Sequence, residues 1–301
     1  MKAASKVDPS SAKAFLNSEC GNAEGARGAL SKAGFEIDER RPSEMAKSLK
    51  AAIDGGAQRI LVAGGDGTIA TAASLVAGTR TELAILPGGT LNHFARDHGI
   101  PTDLDHAAKV AGSGTIVSAD LGHVGDNVFL NTSSIGVYVT FVRVRERFEK
   151  RFGYRLASFL AMVRVFSEIR TFTIALEVEG EKKIYRTSLV FIGIGERELQ
   201  LPTLGSRKKN GKRGLHVMIV QGRRPARLFA IALSAIARGT RSAARLPQFE
   251  SFIVDSCRLD MQRDITTIAI DGELKAMKTP LEYRIERDAL RLVVSPPEGD
   301  E

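Results

Sequence analysis

Residues Arg59–Thr68 read RILVAGGDGT and residues Leu83–Asn92 read LAILPGGTLN. Each opens on a short apolar run of the kind that forms a strand buried on both faces. Each then passes a glycine-rich turn and enters a helical stretch, Ile69–Ala77 after the first and Leu91–His98 after the second, which Gly99 and Pro101 stop. Upstream, Ala23–Ala33 and Ser43–Asp54 read as helices, the second opened by Pro42 and Ser43 and closed by Gly55 and Gly56. Strand, turn and helix repeated in this way predict an α/β domain with a parallel sheet over residues 1–121.

After Leu121 the pattern changes to short strand-like segments: Asn127–Asn131, Phe172–Val178, Lys183–Ile194, Leu215–Val220, Phe249–Arg258, Thr266–Ile270, Leu281–Ile285 and Ala289–Val294. Strands following strands predict an antiparallel β-sandwich, assigned to residues 122–288, with 289–301 a C-terminal strand that is a candidate to return to the first domain. Two basic amphipathic helices interrupt it. Val142–Ile169 carries Phe148, Phe152, Leu156, Phe159, Leu160, Val163 and Phe166 at 3–4 spacing, and Arg224–Arg238 is a shorter counterpart.

The chain of 301 residues is long enough for two cores at roughly 150 residues each. Its 43% hydrophobic and 26% charged residues exclude a disordered or collagen-like chain. Two cysteines, Cys20 and Cys257, make neither a disulfide framework nor a four-thiolate zinc site, which favours a reducing compartment. The start has no apolar stretch of a secretory signal, and the longest apolar run, Leu228–Ala237, is short of the roughly 20 residues of a membrane span. The expectation is a cytoplasmic protein, peripheral at the inner membrane face. The net charge of +8 is unevenly placed. Gly205–Arg245 holds eleven Lys or Arg and no acid, and Phe141–Arg170 holds eight basic residues against three acids. Such a face points to an anionic partner, whether lipid, phosphate or nucleic acid, although a solvated face without a partner has the same composition.

Gly64, Gly65, Asp66, Gly67 and Thr68 sit between a buried strand and a helix, where glycines let the backbone approach a ligand and the helix start favours phosphate. Asp66 would repel a bare phosphate, so it makes sense as a holder of a bridging metal ion or as a hydrogen-bonding acceptor. Gly88, Gly89, Thr90 and Asn92 repeat the arrangement on the next strand, at the carboxyl edge where open α/β sheets bind ligands. Thr90 and Asn92 can donate to phosphate or nucleotide, or cap the helix they begin. Asp271-Gly272-Glu273 follows the strand-like TTIAI and also reads as a type I′ hairpin turn. The histidines, five in all, show no i,i+4 metal pair, and no Gly-x-Ser-x-Gly nucleophile appears.

GGDGT followed by PGGTLNHFARDHGIP resembles the diacylglycerol kinase catalytic-domain family, which includes bacterial lipid kinases and sphingosine kinases. The segment Gly136–Arg170 and the late Asp271-Gly272-Glu273 also fit the bacterial branch, so the resemblance reaches along nearly the whole chain. It implies an ATP-binding α/β domain, a β-sandwich that receives lipid, Mg²⁺-ATP as phosphoryl donor, and Asp66, Gly67, Thr68 and Thr90 at the nucleotide. It also implies Asp271 and Glu273 at the transfer site beside a cleft between domains, with Glu273 the usual candidate base. The sequence departs from the pattern in three places. Where the family has Asn-Pro-x-Ser-Gly, this chain has Asn17-Ser18-Glu19-Cys20-Gly21, which puts an acid where phosphates should pass. The Asn-Glu after GGDGT is Ala70-Thr71 here. The Asp-Gly-x-Leu-Asp metal pattern is replaced by Arg213-Gly214-Leu215-His216, so that Mg²⁺ site is not carried over.

The leading expectation is therefore an ATP-dependent lipid kinase acting on a lipid hydroxyl at an anionic membrane surface. A soluble-substrate kinase of the NAD kinase type shares GGDGT, but its later motifs have no counterpart here. A non-catalytic nucleotide- or nucleic-acid-binding protein is the third class. Nucleic acid is disfavoured by four Tyr and 14 Phe and by the lack of an RNA-binding module. The sequence leaves the identity of the lipid and the oligomeric state open.

Overall fold

The structure, a computed structural model, describes residues 12–90, 92–167, 170–198, 207–208, 210–221 and 249–296. The chain divides into two units, residues 1–121 with 286–301 and residues 122–285. The expected helix Arg224–Arg238, the apolar run Leu228–Ala237 and most of the basic stretch Gly205–Arg245 lie outside the described residues.

The first unit alternates strand and helix. β1 (Ala12–Asn17), α1 (Ala23–Lys32), β2 (Ile37–Arg40), α2 (Pro42–Asp54), β3 (Arg59–Gly64), α3 (Asp66–Val76), β4 (Glu82–Pro87), α4 (His93–Asp97), α5 (Leu104–Ser113) and β5 (Thr115–Val124) follow in order. Strands β2, β1, β3 and β4 lie side by side, every pair parallel, as the expected α/β class requires. Ile60, Leu61 and Val62 of β3 are wholly buried, each contributing about 1.5–3 kcal/mol from apolar burial. Alanines 26, 29, 107, 108 and 111 pack α1 and α5 onto the sheet, their small side chains allowing close approach. The base of the sheet is locked by the buried Arg59. Its guanidinium meets Glu82 at 2.8 Å and donates to the carbonyls of Ala111 and Gly112, so the charge is paired and its donors are used.

The second unit continues with β6 (Asn127–Phe129), β7 (Thr132–Gly136), α6 (Val137–Ser167), β8 (Phe172–Val178), β9 (Glu181–Ile194), β10 (Leu215–Gln221), β11 (Phe249–Val254), β12 (Ser256–Met261), β13 (Ile265–Ile270), β14 (Glu273–Lys278) and β15 (Leu281–Val294). Apart from parallel contacts of β15 in the first unit, its ladders are antiparallel. The long β9 pairs with β8 along its first half and with β7 and β10 along its second, wrapping the strands round a core that includes Phe129, Ile192, Val217 and Tyr283.

Several elements differ from the sequence reading. α3 starts at Asp66, three residues before Ile69, because an acid suits the first turn of a helix. The second glycine turn gives only the short α4, and Leu91 lies outside the described residues. α6 starts at Val137 and breaks at Gly153, whose φ of 72° no helix accommodates. Phe249–Arg258 is two strands divided at Asp255. Leu281–Ile285 and Ala289–Val294 are one strand, β15, which pairs with β12 at Leu281–Arg284 and runs parallel to β4 at Arg291–Leu292.

Candidate functional site

The parallel register of β3 and β4 sets Gly64 opposite Pro87, so the two glycine turns leave the sheet side by side. The Gly88 amide donates to the Gly64 carbonyl at 2.9 Å. A Cβ on Gly89 would stand 2.8 Å from the Gly65 Cα, and one on Gly64 would stand 2.7 Å from the Thr68 Cβ. Gly89 is glycine because backbone approaches backbone there, and Gly64 because the Thr68 side chain fills the space of a Cβ, which is how such a cradle keeps its N–H groups open toward a ligand. The N-terminal segment joins it. Asn17, at the end of β1, donates through Nδ2 to the Thr68 hydroxyl at 2.8 Å and accepts the Glu19 amide at 2.9 Å. Gly21 lies against the Gly88 carbonyl. Thus the degenerate Asn17–Gly21 segment still packs onto the glycine turns, with Asn17 turned inward and Glu19 exposed. Cys20 is half-buried there, and burial raises its thiol above the ordinary value.

α3 begins directly in this cradle. Its first intrahelical bond runs from the Ile69 amide to the Gly65 carbonyl, so the amides of Asp66, Gly67 and Thr68 have no acceptor within the helix. The Asp66 carboxylate is half-exposed and accepts only long bonds, from the amides of His93 at 3.3 Å and Phe94 at 3.4 Å. It ties the first glycine turn to the start of α4 and keeps lone pairs for a ligand. Thr90 is exposed. Asn92 is buried with a left-handed φ of 51°, and both ends of its amide are used on Gly89, donating to the carbonyl at 2.8 Å and accepting the amide at 2.9 Å. Of the two roles open to Asn92, the structure displays the turn-shaping one.

In the second unit, Ile270 pairs with Glu273 across a two-residue turn in which Asp271 and Gly272 both have positive φ. This is the type I′ hairpin that Asp-Gly favours. The Asp271 carboxylate is gripped by three backbone amides, those of Leu130, Asn131 and Thr132, at 2.7, 2.8 and 2.9 Å. The Asp271 amide in turn donates to the Thr132 carbonyl at 2.8 Å. Glu273 is exposed at the head of β14, and no described residue hydrogen-bonds its carboxylate.

At the departure Arg213–His216, the imidazole of His216 is committed. Its Nδ1 accepts the Arg197 amide at 2.8 Å, which leaves Nε2 as the protonated nitrogen donating to the Ser251 hydroxyl at 2.6 Å. Burial pushes its pKa below the ordinary histidine value. Among the described residues no group of three or more His, Cys, Asp or Glu is gathered for a metal ion, and no helix is long and apolar enough to cross a membrane.

Residues 9–124, which hold both glycine turns and Asn17, match the family model of the diacylglycerol kinase catalytic domain. This stretch belongs to the diacylglycerol kinase catalytic-domain family. The chain is 33% identical over 162 residues to a probable lipid kinase YegS-like protein of Cronobacter sakazakii, half of this chain and 52% of that protein. It is 30% identical over 141 residues to a diacylglycerol kinase of Mycobacterium tuberculosis, 45% of this chain and 46% of that one. The matched region thus spans about half the length of these relatives. In fold, the chain resembles the crystal structure of a putative diacylglycerol kinase from Bacillus anthracis, with a TM-score of 0.72 at 20% identity, covering 95% of this chain and 97% of the other. The interactions of Asp66 with α4 and of Asp271 with Leu130–Thr132 had no local sequence signal, since their partners are 27 to 141 residues away.

Proposed function

We propose that this chain is an ATP-dependent lipid kinase, transferring the γ-phosphoryl group to a lipid hydroxyl at the surface of an anionic membrane, on the side where ATP is supplied. The observation that carries this reading is the cradle in which three loops meet at one sheet edge, Gly64–Gly65, Gly88–Gly89 and Asn17–Gly21, beside the first-turn amides of α3 that have no acceptor within the helix. The amides of Asp66, Gly67 and Thr68 hold phosphate oxygens, and the Thr90 hydroxyl donates to the nucleotide. Magnesium asks for one or two carboxylates besides phosphate and water, and the loosely held Asp66 carboxylate fits that demand. Bound Mg²⁺ would neutralise the phosphate charge there.

Glu273 serves as the general base in this reading, and Asp271 positions the hairpin that carries it. Glu273 takes the proton of the lipid hydroxyl, whose oxygen forms the new bond to the γ-phosphorus while the bond to the ADP oxygen breaks. An exposed carboxylate without a hydrogen-bond partner among the described residues suits this task, whereas that of Asp271 is occupied by three amides. The test is incubation of the protein with γ-labelled ATP, Mg²⁺ and a total lipid extract, followed by identification of the labelled product. Label in a lipid phosphate ester supports the reading. Nucleotide binding with no label in any lipid returns the chain to the class of non-catalytic nucleotide-binding proteins.

A further inference from the structure

The second unit contains a concavity of about 720 Å³ that the reaction above does not use. Its walls come from the first turns of α6, the starts of β8 and β13, and β9, and four arginines line it: Arg143, Arg170, Arg186 and Arg263. All four are exposed, and among the described residues no carboxylate contributes to the lining. Among the described residues none of the four forms an ion pair, and Arg186 donates only to the Thr171 hydroxyl, at 3.2 Å. Four guanidinium groups round one hollow repel one another until an anion enters, and their planar forks match phosphate oxygens two at a time.

The hollow is also apolar at its rim. Ile265 is 60% exposed, and Phe172 forms part of the wall. A free phosphate ion gains nothing from an exposed aliphatic side chain, whereas a lipid whose headgroup enters the arginines brings acyl chains to that rim. From Arg143 the positive charge continues along α6 through the exposed Arg147 and Arg151, one turn apart, as a stripe leading away from the hollow. We propose that this hollow seats the phosphate headgroup of an anionic membrane phospholipid, docking the second unit on the bilayer with Ile265 entering the interface. The site is separate from the Asp271–Gly272 turn. Ile265 and Ile270 are opposite ends of β13, about 17 Å apart at 3.3–3.4 Å per residue. Docking needs no nucleotide, so it stands or falls independently of the kinase reading.

The test is co-sedimentation of the whole protein, without ATP, with vesicles of phosphatidylcholine alone or mixed with phosphatidylglycerol. Binding should require the anionic lipid, and each of Arg143→Ala, Arg170→Ala, Arg186→Ala and Arg263→Ala should weaken it about five-fold, the typical effect of one basic residue at a membrane surface. Arg263→Glu should weaken it further, and Ile265→Ser should weaken it at low and high salt alike. Lys182→Ala with Lys183→Ala removes two exposed charges from β9 outside the hollow and should change affinity less than two-fold. All these side chains are exposed, and circular dichroism checks that each variant folds. Equal losses in the lysine and arginine variants would mean diffuse attraction and overturn the site. Inorganic phosphate or glycerol 3-phosphate that displaces the vesicles at micromolar concentration would overturn the lipid assignment in favour of a soluble phosphate ligand.

Discussion

The two acid-bearing turns, Gly64–Thr68 in the first unit and Asp271–Gly272 in the second, hold their carboxylates in opposite ways. Asp66 reaches two amides of a neighbouring short helix at 3.3 and 3.4 Å, at the long limit of hydrogen bonding. Asp271 is closed in by three amides at 2.7–2.9 Å. Both belong to Asp-Gly dipeptides within the motifs that carry the family resemblance, yet one is left to meet a ligand and the other braces a chain segment. Which task such an acid serves is told by its donors. The glycines beside it do not tell the two apart.

The sharpest way to break this comparison is Asp66→Ala. Turnover should fall about 10³-fold or more, since the residue is expected to act on the charge of the transferring phosphates. The urea midpoint should hardly move, because the two bonds lost are long. Unchanged kinetics in the folded variant would put Asp66 on the structural side with Asp271. Next comes Glu273→Gln, which keeps shape and removes the proton acceptor. It should cost about 10²–10⁴-fold in turnover with nucleotide affinity nearly unchanged. If Asp271→Asn is the more damaging of the two to turnover at equal stability, Asp271 is the reacting group and the comparison is inverted.

Asp271→Ala sharpens the other side. It strands three amides and places alanine at a φ of 46°, so unfolding in urea should show a loss of about 3 kcal/mol. Asp271→Asn keeps an acceptor oxygen and a residue at ease in that conformation, and should lose about half as much. The smallest effect concerns His216. Desolvation, ahead of the charges of Lys208 and Arg197 and against that of Glu196, lowers its pKa, so the unfolded chain takes up a proton first as pH falls. Its contribution to stability is therefore complete above about pH 6.5 and declines below it. His216→Gln should flatten the pH dependence of the urea midpoint across that range.

The parts of the fold that the sequence reveals are those whose burial is written in consecutive residues. RILVA and LAIL are such runs, and β8 was delimited to the residue as Phe172–Val178. β5 escaped because Ser118 and Asp120 break its apolar run, although Asp120 is buried and accepts the Asp288 amide at 3.0 Å. The early start of α6 escaped because Val137 and Val139 are strand-favouring residues that packing overrides. At the candidate site, the glycine turns could be placed beside one another from strand order alone. The ring that Asn92 makes with Gly89 could not, since it depends on a left-handed residue whose side chain has a choice of partners. The inward turn of Asn17 depended on Thr68, 51 residues later.

The course of β15 has a consequence for how the protein is made. Its residues Arg291 and Leu292 supply the strand beside β4, and Leu290, Leu292 and Val293 are buried. On the ribosome, β1, β3 and β4 emerge first, while the strand that flanks them arrives more than 200 residues later. Until then the edge at Glu82 and Leu83 offers unpaired amides and carbonyls next to an apolar face, the combination that invites pairing with another nascent chain. Such a late, long-range closure is slow to find. A fragment ending at Ile285 would keep that edge open permanently, so expression trials of the first unit should append residues 286–296 through a linker rather than stop at Leu121.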